Sequence, residues 1–102
     1  IQPPYVMPLV THAYMLYTIK FSKNKERDKI MQHLNTVGIE TRNAFPPIHL
    51  QPLFGSLYGY KRGYLPVTEE CAEKVLSLPM FPHIRKEDQG FIVNSIIEGL
   101  KT

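Results

Sequence analysis

The sequence predicts a two-layer α+β domain, in which helices cover one face of a small, mostly antiparallel sheet, and three observations predict it. Ala13, Met15, Tyr17, Ile19 and Phe21 alternate with Tyr14, Leu16, Thr18 and Lys20, which is the period of a strand with one face on a core. Two other segments repeat apolar residues at helical spacing: Ile30, Met31, Leu34 and Val37, then Ile92, Val93, Ile96, Ile97 and Leu100. Between them Pro46, Pro47, Pro52, Gly55, Gly59, Gly63 and Pro66 interrupt every period.

Each element follows in order. Pro3, Pro4 and Pro8 fix φ and remove donors, so residues 1–10 read as an extended lead-in. The strand over 13–21 comes next. Asn24 is a suitable N-cap for a helix reaching Val37, and Gly38 supplies the stop, because a positive φ costs glycine little. Ile39–Arg42 reads as a short second strand. The stretch from Asn43 to Pro66 is connection, with one helical turn around Leu53–Leu57, and a loop of this length in a small domain usually has a task. Thr68 is placed to cap a helix with Glu69 and Glu70 in its first turn, Val67 and Ala72 stapling it, and Cys71, Ala72, Val75 and Leu76 turned inward. Pro79 cannot donate to a ladder, so Ser77–Met80 should be a short or edge strand. The last helix runs from about Lys86 to Leu100, with Glu87 and Asp88 complementing its dipole.

Composition bounds the function. At 102 residues, 43% hydrophobic and 21% charged, the chain is an ordinary globular domain with room for one modest core, so a large ligand site would have to be shared with another surface. The net charge of +3 is spread through alternating runs such as Lys25-Glu26-Arg27-Asp28-Lys29, the pattern of a solvated helix face rather than a nucleic-acid stripe. Tyr58, Tyr60 and Tyr64 interleaved with Lys61 and Arg62 make the best local case for nucleic acid, against a plain surface loop of half-buried tyrosines. The single cysteine, Cys71, excludes an internal disulfide and fits the cytoplasm. No apolar run approaches the roughly 20 residues of a membrane helix. The start at Ile1, without an initiator methionine, fits a processed product or a piece of a longer protein.

No complete catalytic constellation is present. His12, His33, His49 and His83 lack the short paired spacings of a metal site, so no metal is expected. Ser22, Ser56, Ser77 and Ser95 sit in no nucleophile elbow, Cys71 lies mid-helix, and the six glycines form no phosphate loop. What remains is Arg42 and His49 around the prolines. Arginine offers a rigid fork for carboxylate or phosphate and histidine a hydrogen bond or proton near neutral pH, so the pair could read an anionic, hydroxylated ligand. The alternative is that Arg42 pairs with a surface acid and His49 pins the loop to backbone carbonyls.

Several stretches carry a resemblance in their order and spacing: His12-Ala13-Tyr14 with Tyr17, Arg27-Asp28, Gly38-Ile39-Glu40-Thr41-Arg42, Pro47 to Pro52, Leu65-Pro66-Val67, Ser77 to Pro82 and Glu87-Asp88-Gln89. Together they resemble the C-terminal small domain of the DegT/DnrJ/StrS sugar aminotransferases, most of all those acting on 4-keto-6-deoxy sugar nucleotides. The resemblance implies the small domain of a type I aminotransferase fold over 13–102, with 1–12 a linker from a large domain. It implies that the complete enzyme is a dimer that uses pyridoxal phosphate to move an amino group, commonly from glutamate, to a keto sugar nucleotide. It also implies that the large domain supplies the Schiff-base lysine and most cofactor contacts, so that this chain alone is inactive, binds no cofactor and has no catalytic residue.

Within the family the loop after the Gly-Ile-x-Thr-Arg motif lies near substrate, which makes Arg42, Phe45 and His49 the substrate-facing positions. Arg42 would hold a carboxylate or shape the loop, Phe45 would wall the pocket, and His49 would hydrogen-bond sugar, phosphate or backbone. Asn43-Ala44 departs from the family, where proline and an aromatic often precede the phenylalanine. Arg85 stands where a Thr or Ser cap is expected, which should weaken that helix start by about 1 kcal/mol. The contrasting expectation is a free-standing binding or regulatory module that keeps the scaffold without the enzyme.

Overall fold

The structure is a computed structural model that describes all residues from Ile1 to Thr102. Strand β1 (Tyr17–Lys20) leads into helix α1 (Asn24–Thr36), and a 3-10 turn at Ile48–Leu50 precedes helix α2 (Pro52–Tyr58). Helix α3 (Pro66–Lys74) runs straight into strand β2 (Val75–Leu78), and helix α4 (Lys86–Lys101) closes the chain. The domain is α+β, as expected. Its sheet is antiparallel, with Tyr17 opposite Leu78, Thr18 opposite Ser77, Ile19 opposite Leu76 and Lys20 opposite Val75.

Each edge of this two-stranded sheet takes one further bridge. Gln2 pairs with Lys20 beside β1, and Arg42 pairs with Ser77 beside β2. The predicted strand at Ile39–Arg42 is therefore reduced to a single bridge, and the lead-in, read as mere connection, supplies one of its own. Both bridges satisfy edge groups that would otherwise face solvent.

The core is one cluster: Ile19, Phe21, Ile30, Leu34, Ile39, Leu76, Ile92 and Ile96. Ile19 and Leu76 stand on one sheet face, and α1 and α4 cover that face with Ile30, Leu34, Ile92 and Ile96. Gly99 lets the two helices approach, since a Cβ there would stand 2.8 Å from Ile30 Cδ1 and 2.9 Å from His33 Cδ2. Gly38, at φ +81°, ends α1 as its sequence position predicts.

Several boundaries differ from expectation. The strand begins at Tyr17 rather than Ala13, because Tyr14 takes a positive φ of 39° that no strand accommodates. Lys23, with φ −132° and ψ 143°, is the N-cap of α1, and Asn24 is already helical, its Oδ1 accepting from the Lys25 amide. Helix α3 starts at Pro66, not at a Thr68 cap, since proline's fixed φ suits the first helical position. Val75 and Leu76 then leave the helix and open β2, two residues before the predicted strand, because pairing with Lys20 and Ile19 outweighs their local helical period, and β2 ends at Leu78, before Pro79, rather than at Met80.

Helix α4 matches its predicted span closely. Arg85 is its N-cap and makes no capping hydrogen bond, but its guanidinium reaches forward to Asp88 at 2.9 and 3.0 Å. Of its predicted stripe Ile92 and Ile96 are buried, whereas Val93, Ile97 and Leu100 remain exposed.

Candidate functional site

The segment 43–65 leaves the sheet edge at Arg42, projects as an arm, and returns at the start of α3. Helix α2 within it has no buried residue and packs mainly on the 3-10 turn. What ties the arm to the domain is polar. Arg27, on α1, donates from Nη1 to Asn43 Oδ1 at 3.1 Å and to the Val75 carbonyl at 3.2 Å, while its Nε pairs with Asp28 at 2.7 Å. Arg62 pairs with Glu73 at the far side.

The third tie is buried. His49 Nε2 lies 2.7 Å from Glu69 Oε1, and both side chains are 7% exposed. The Gly63 amide donates to both oxygens of the same carboxylate, at 2.9 and 3.0 Å. The hydrogen bond from His49, supported by the Gly63 and Leu65 amides, holds the Glu69 carboxyl below its ordinary value although burial pushes the other way. An ionised Glu69 only accepts, so His49 Nε2 is the donor.

The sequence-predicted site residues do not converge. Arg42 is 80% exposed and its Nη2 meets Glu40 at 3.2 Å, the surface-acid pairing weighed as the alternative for it. Phe45 is 73% exposed and borders a cavity of about 260 Å³, together with Arg27, Asn43, Arg62, Glu69 and Glu73. Neither Arg42 nor His49 lines that cavity. His49 instead points inward and pins the loop, to a carboxylate rather than to the carbonyls considered for it.

Sequence reasoning missed Arg27, Arg62, Glu69 and Glu73 as members of the site. Arg27 could have been found as one of the two members of its charge run, with Glu26, that lie three or four positions before Ile30 on the apolar stripe. Glu69 carried no local signal, because its partners lie 20 and 6 residues away. No set of three His, Cys, Asp or Glu side chains converges as a metal centre.

The profile of the DegT/DnrJ/EryC1/StrS aminotransferase family matches residues 2–97. The chain belongs to this family. It is 46% identical over 88 residues to a pleiotropic regulatory protein of Geobacillus stearothermophilus, covering 85% of this chain and 23% of that one. It is 30% identical to the dTDP-3-amino-3,4,6-trideoxy-alpha-D-glucose transaminase of Streptomyces venezuelae, covering 93% of this chain and 24% of that enzyme. The aminotransferase TlmJ from Streptoalloteichus hindustanus superposes with a TM-score of 0.84 at 26% identity, over 98% of this chain and 26% of that structure. This member of the family thus spans about a quarter of the length of the relatives it matches, and the arm with its three ties lies inside the matched region.

Proposed function

We propose that this chain is the C-terminal small domain of a sugar aminotransferase, which moves an amino group from an amino acid, with glutamate the expected donor, to a keto sugar nucleotide. The observation that carries the reading is the family match over residues 2–97 by a chain one quarter as long as its relatives. In this reading residues 1–12 connect to a large domain and residues 13–102 close one side of the substrate cleft.

The surface supports a missing partner. The accessible area is 7815 Å², whereas a monomer of 11.8 kDa exposes about 5,900 Å². The excess, about 1,900 Å², comes with an extended lead-in and arm, and it is comparable in size to what one partner contributes to a large permanent interface. The Cα radius of gyration, 15.8 Å, likewise exceeds the roughly 13 Å of a compact domain of this length. Only thirteen of 102 residues are buried, and Phe45, Ile48, Leu53 and Leu57 on the arm, with Val93, Ile97 and Leu100 on α4, stand exposed. Docking of a large domain, and pairing into a homodimer, are the proposed uses of these faces.

Pyridoxal phosphate is the proposed cofactor of the complete enzyme, where it supplies an electron sink. The residues of this chain do not fit its covalent seat. The cavities beside Phe45, beside Met80 and beside Val67 are all lined without a lysine, and Lys74 Nζ is held by Glu70 at 2.6 Å. No step through the cofactor is assigned to this chain. Its own part is to present the exposed Arg42 fork to a carboxylate or phosphate and to wall the sugar with Phe45, while His49 keeps the arm in place. No helix is long and apolar enough to cross a membrane, and the free Cys71 supports the cytoplasm as its place.

The test is to read the coding DNA in frame upstream of Ile1, express the whole polypeptide, and measure amino transfer from glutamate to 4-keto-6-deoxy sugar nucleotides. Turnover that falls in Arg42→Ala and Phe45→Ala supports the reading. Absence of turnover with every sugar nucleotide sinks it. A second reading, a binding or regulatory module, is favoured by the description of the Geobacillus relative as a regulatory protein. Ligand binding without turnover by the whole polypeptide would select it.

A further inference from the structure

We propose that Glu69 is a positioning residue: from α3 its buried carboxylate clamps the arm at two places, His49 and Gly63, and so sets where Phe45 stands. The inference rests on the sugar-aminotransferase reading for its functional consequence and on the contacts of Glu69 for its geometry.

The contacts reach beyond the helix that carries Glu69. A buried ion is expensive to desolvate, and an apolar side chain of the same volume would pack the site at lower cost. Here the carboxylate gains its hydrogen bonds from outside its own helix. His49 Nε2 comes from the 3-10 turn at 2.7 Å, and the Gly63 amide from the returning end of the arm at 2.9 and 3.0 Å. These two donors lie fourteen positions apart in the sequence, so one side chain closes the loop between them. Gly63 has φ +100°, a conformation L side chains rarely adopt, and this turn is part of what aims its amide at Glu69.

The rings of Phe54, Tyr58, Tyr60 and Tyr64 pack on one another within the arm, but little else ties its centre to the rest of the domain. The backbone hydrogen bonds of Leu50, Gln51, Gly55, Gly59 and Tyr64 all stay within the arm. The Arg27–Asn43 contact secures only its first residue, and the Arg62–Glu73 pair is largely exposed, where an ion pair contributes little. Glu69 also shares its cavity with Arg27, Arg62, Glu73 and Phe45, so the clamp and the aromatic wall border the same space. Releasing the clamp frees the wall.

The experiment compares Glu69→Met, which keeps volume but cannot clamp, with Glu69→Gln, whose amide oxygen still accepts from Gly63, in the full-length polypeptide. Amide hydrogen exchange is read over 44–64 and over the β1–β2 ladder. In Glu69→Met the arm should exchange about tenfold faster or more while the ladder stays as in wild type, and Glu69→Gln should fall between. KM for the sugar nucleotide should rise by more than kcat falls. His49→Leu carries the same expectation and serves if Glu69→Met does not fold. Arm exchange unchanged in Glu69→Met and His49→Leu, or ladder and arm accelerating together, overturns the proposal. Since exchange needs no substrate, an inactive wild type refutes only the enzymatic reading and leaves this result intact.

Discussion

Arg27 and Asn43 join the first helix to the root of the arm: Nη1 of Arg27 lies 3.1 Å from Asn43 Oδ1 while also reaching the Val75 carbonyl at 3.2 Å. Its side chain is only 11% exposed, so the charge is stabilised by these partners and by Asp28 rather than by water. A lysine has no planar fork and cannot serve all three. Arg27→Lys should therefore cost about 1–2 kcal/mol of stability, read as a lower urea midpoint with an unchanged slope. A midpoint equal to wild type would show that the contact contributes nothing.

Acid should weaken the clamp that Glu69 puts on the arm. Because the folded-state pKa of Glu69 is depressed, its contribution is fully present above the ordinary glutamate value of 4.5 and is lost as pH falls through the lower folded value. Asp88 and Glu70 are depressed likewise, by Arg85 and Lys74, so wild-type stability declines in acid from several sites. Glu69→Gln lacks one of them. Its melting temperature should fall less steeply than that of wild type below pH 4.5, and parallel curves would count against an ionised Glu69 in the folded chain.

Leu76 is fully buried and sits directly opposite Ile19 in the sheet. Leu76→Ala removes core volume where α1 and the sheet meet, and should cost about 2–5 kcal/mol by denaturant unfolding. In a domain with a single small core that is enough to leave it largely unfolded at 37 °C.

Gly99 sits in a helix, where alanine is ordinarily better by up to about 1 kcal/mol. Its added methyl would meet Ile30 Cδ1 at 2.8 Å and the His33 ring at 2.9 Å, and Ile30 is fully buried. Overpacking costs about 1–3 kcal/mol, and the position lies in the last turn, where propensity counts least. Gly99→Ala is expected to be net destabilising, by about 1 kcal/mol in thermal melts. A stabilised variant would mean that α4 shifts outward freely.

The excess apolar surface gives a further expectation. The chain expressed alone should bind a hydrophobic dye and self-associate, and the complete polypeptide should do neither to the same degree. A monodisperse, dye-silent chain would argue that its exposed arm and α4 faces need no partner.

Residue order alone determined much of this protein. The stripe on α1, its stop at Gly38, the span of α4, and the burial of Ile19, Phe21, Ile30, Leu34, Ile92 and Ile96 were legible, because periodicity and capping act between residues a few positions apart. The family was legible too, in motifs whose spacing survives in the linear chain. Tertiary structure decided where β2 starts, since Val75 and Leu76 fit a helix locally but pair with residues 55 and 57 positions earlier. It also decided that His49 is buried against Glu69 and does not line the cavity that Phe45 borders. A histidine among prolines looks available for a ligand until the fold brings a carboxylate twenty residues away within 2.7 Å, and no local pattern records a contact that chain closure alone creates.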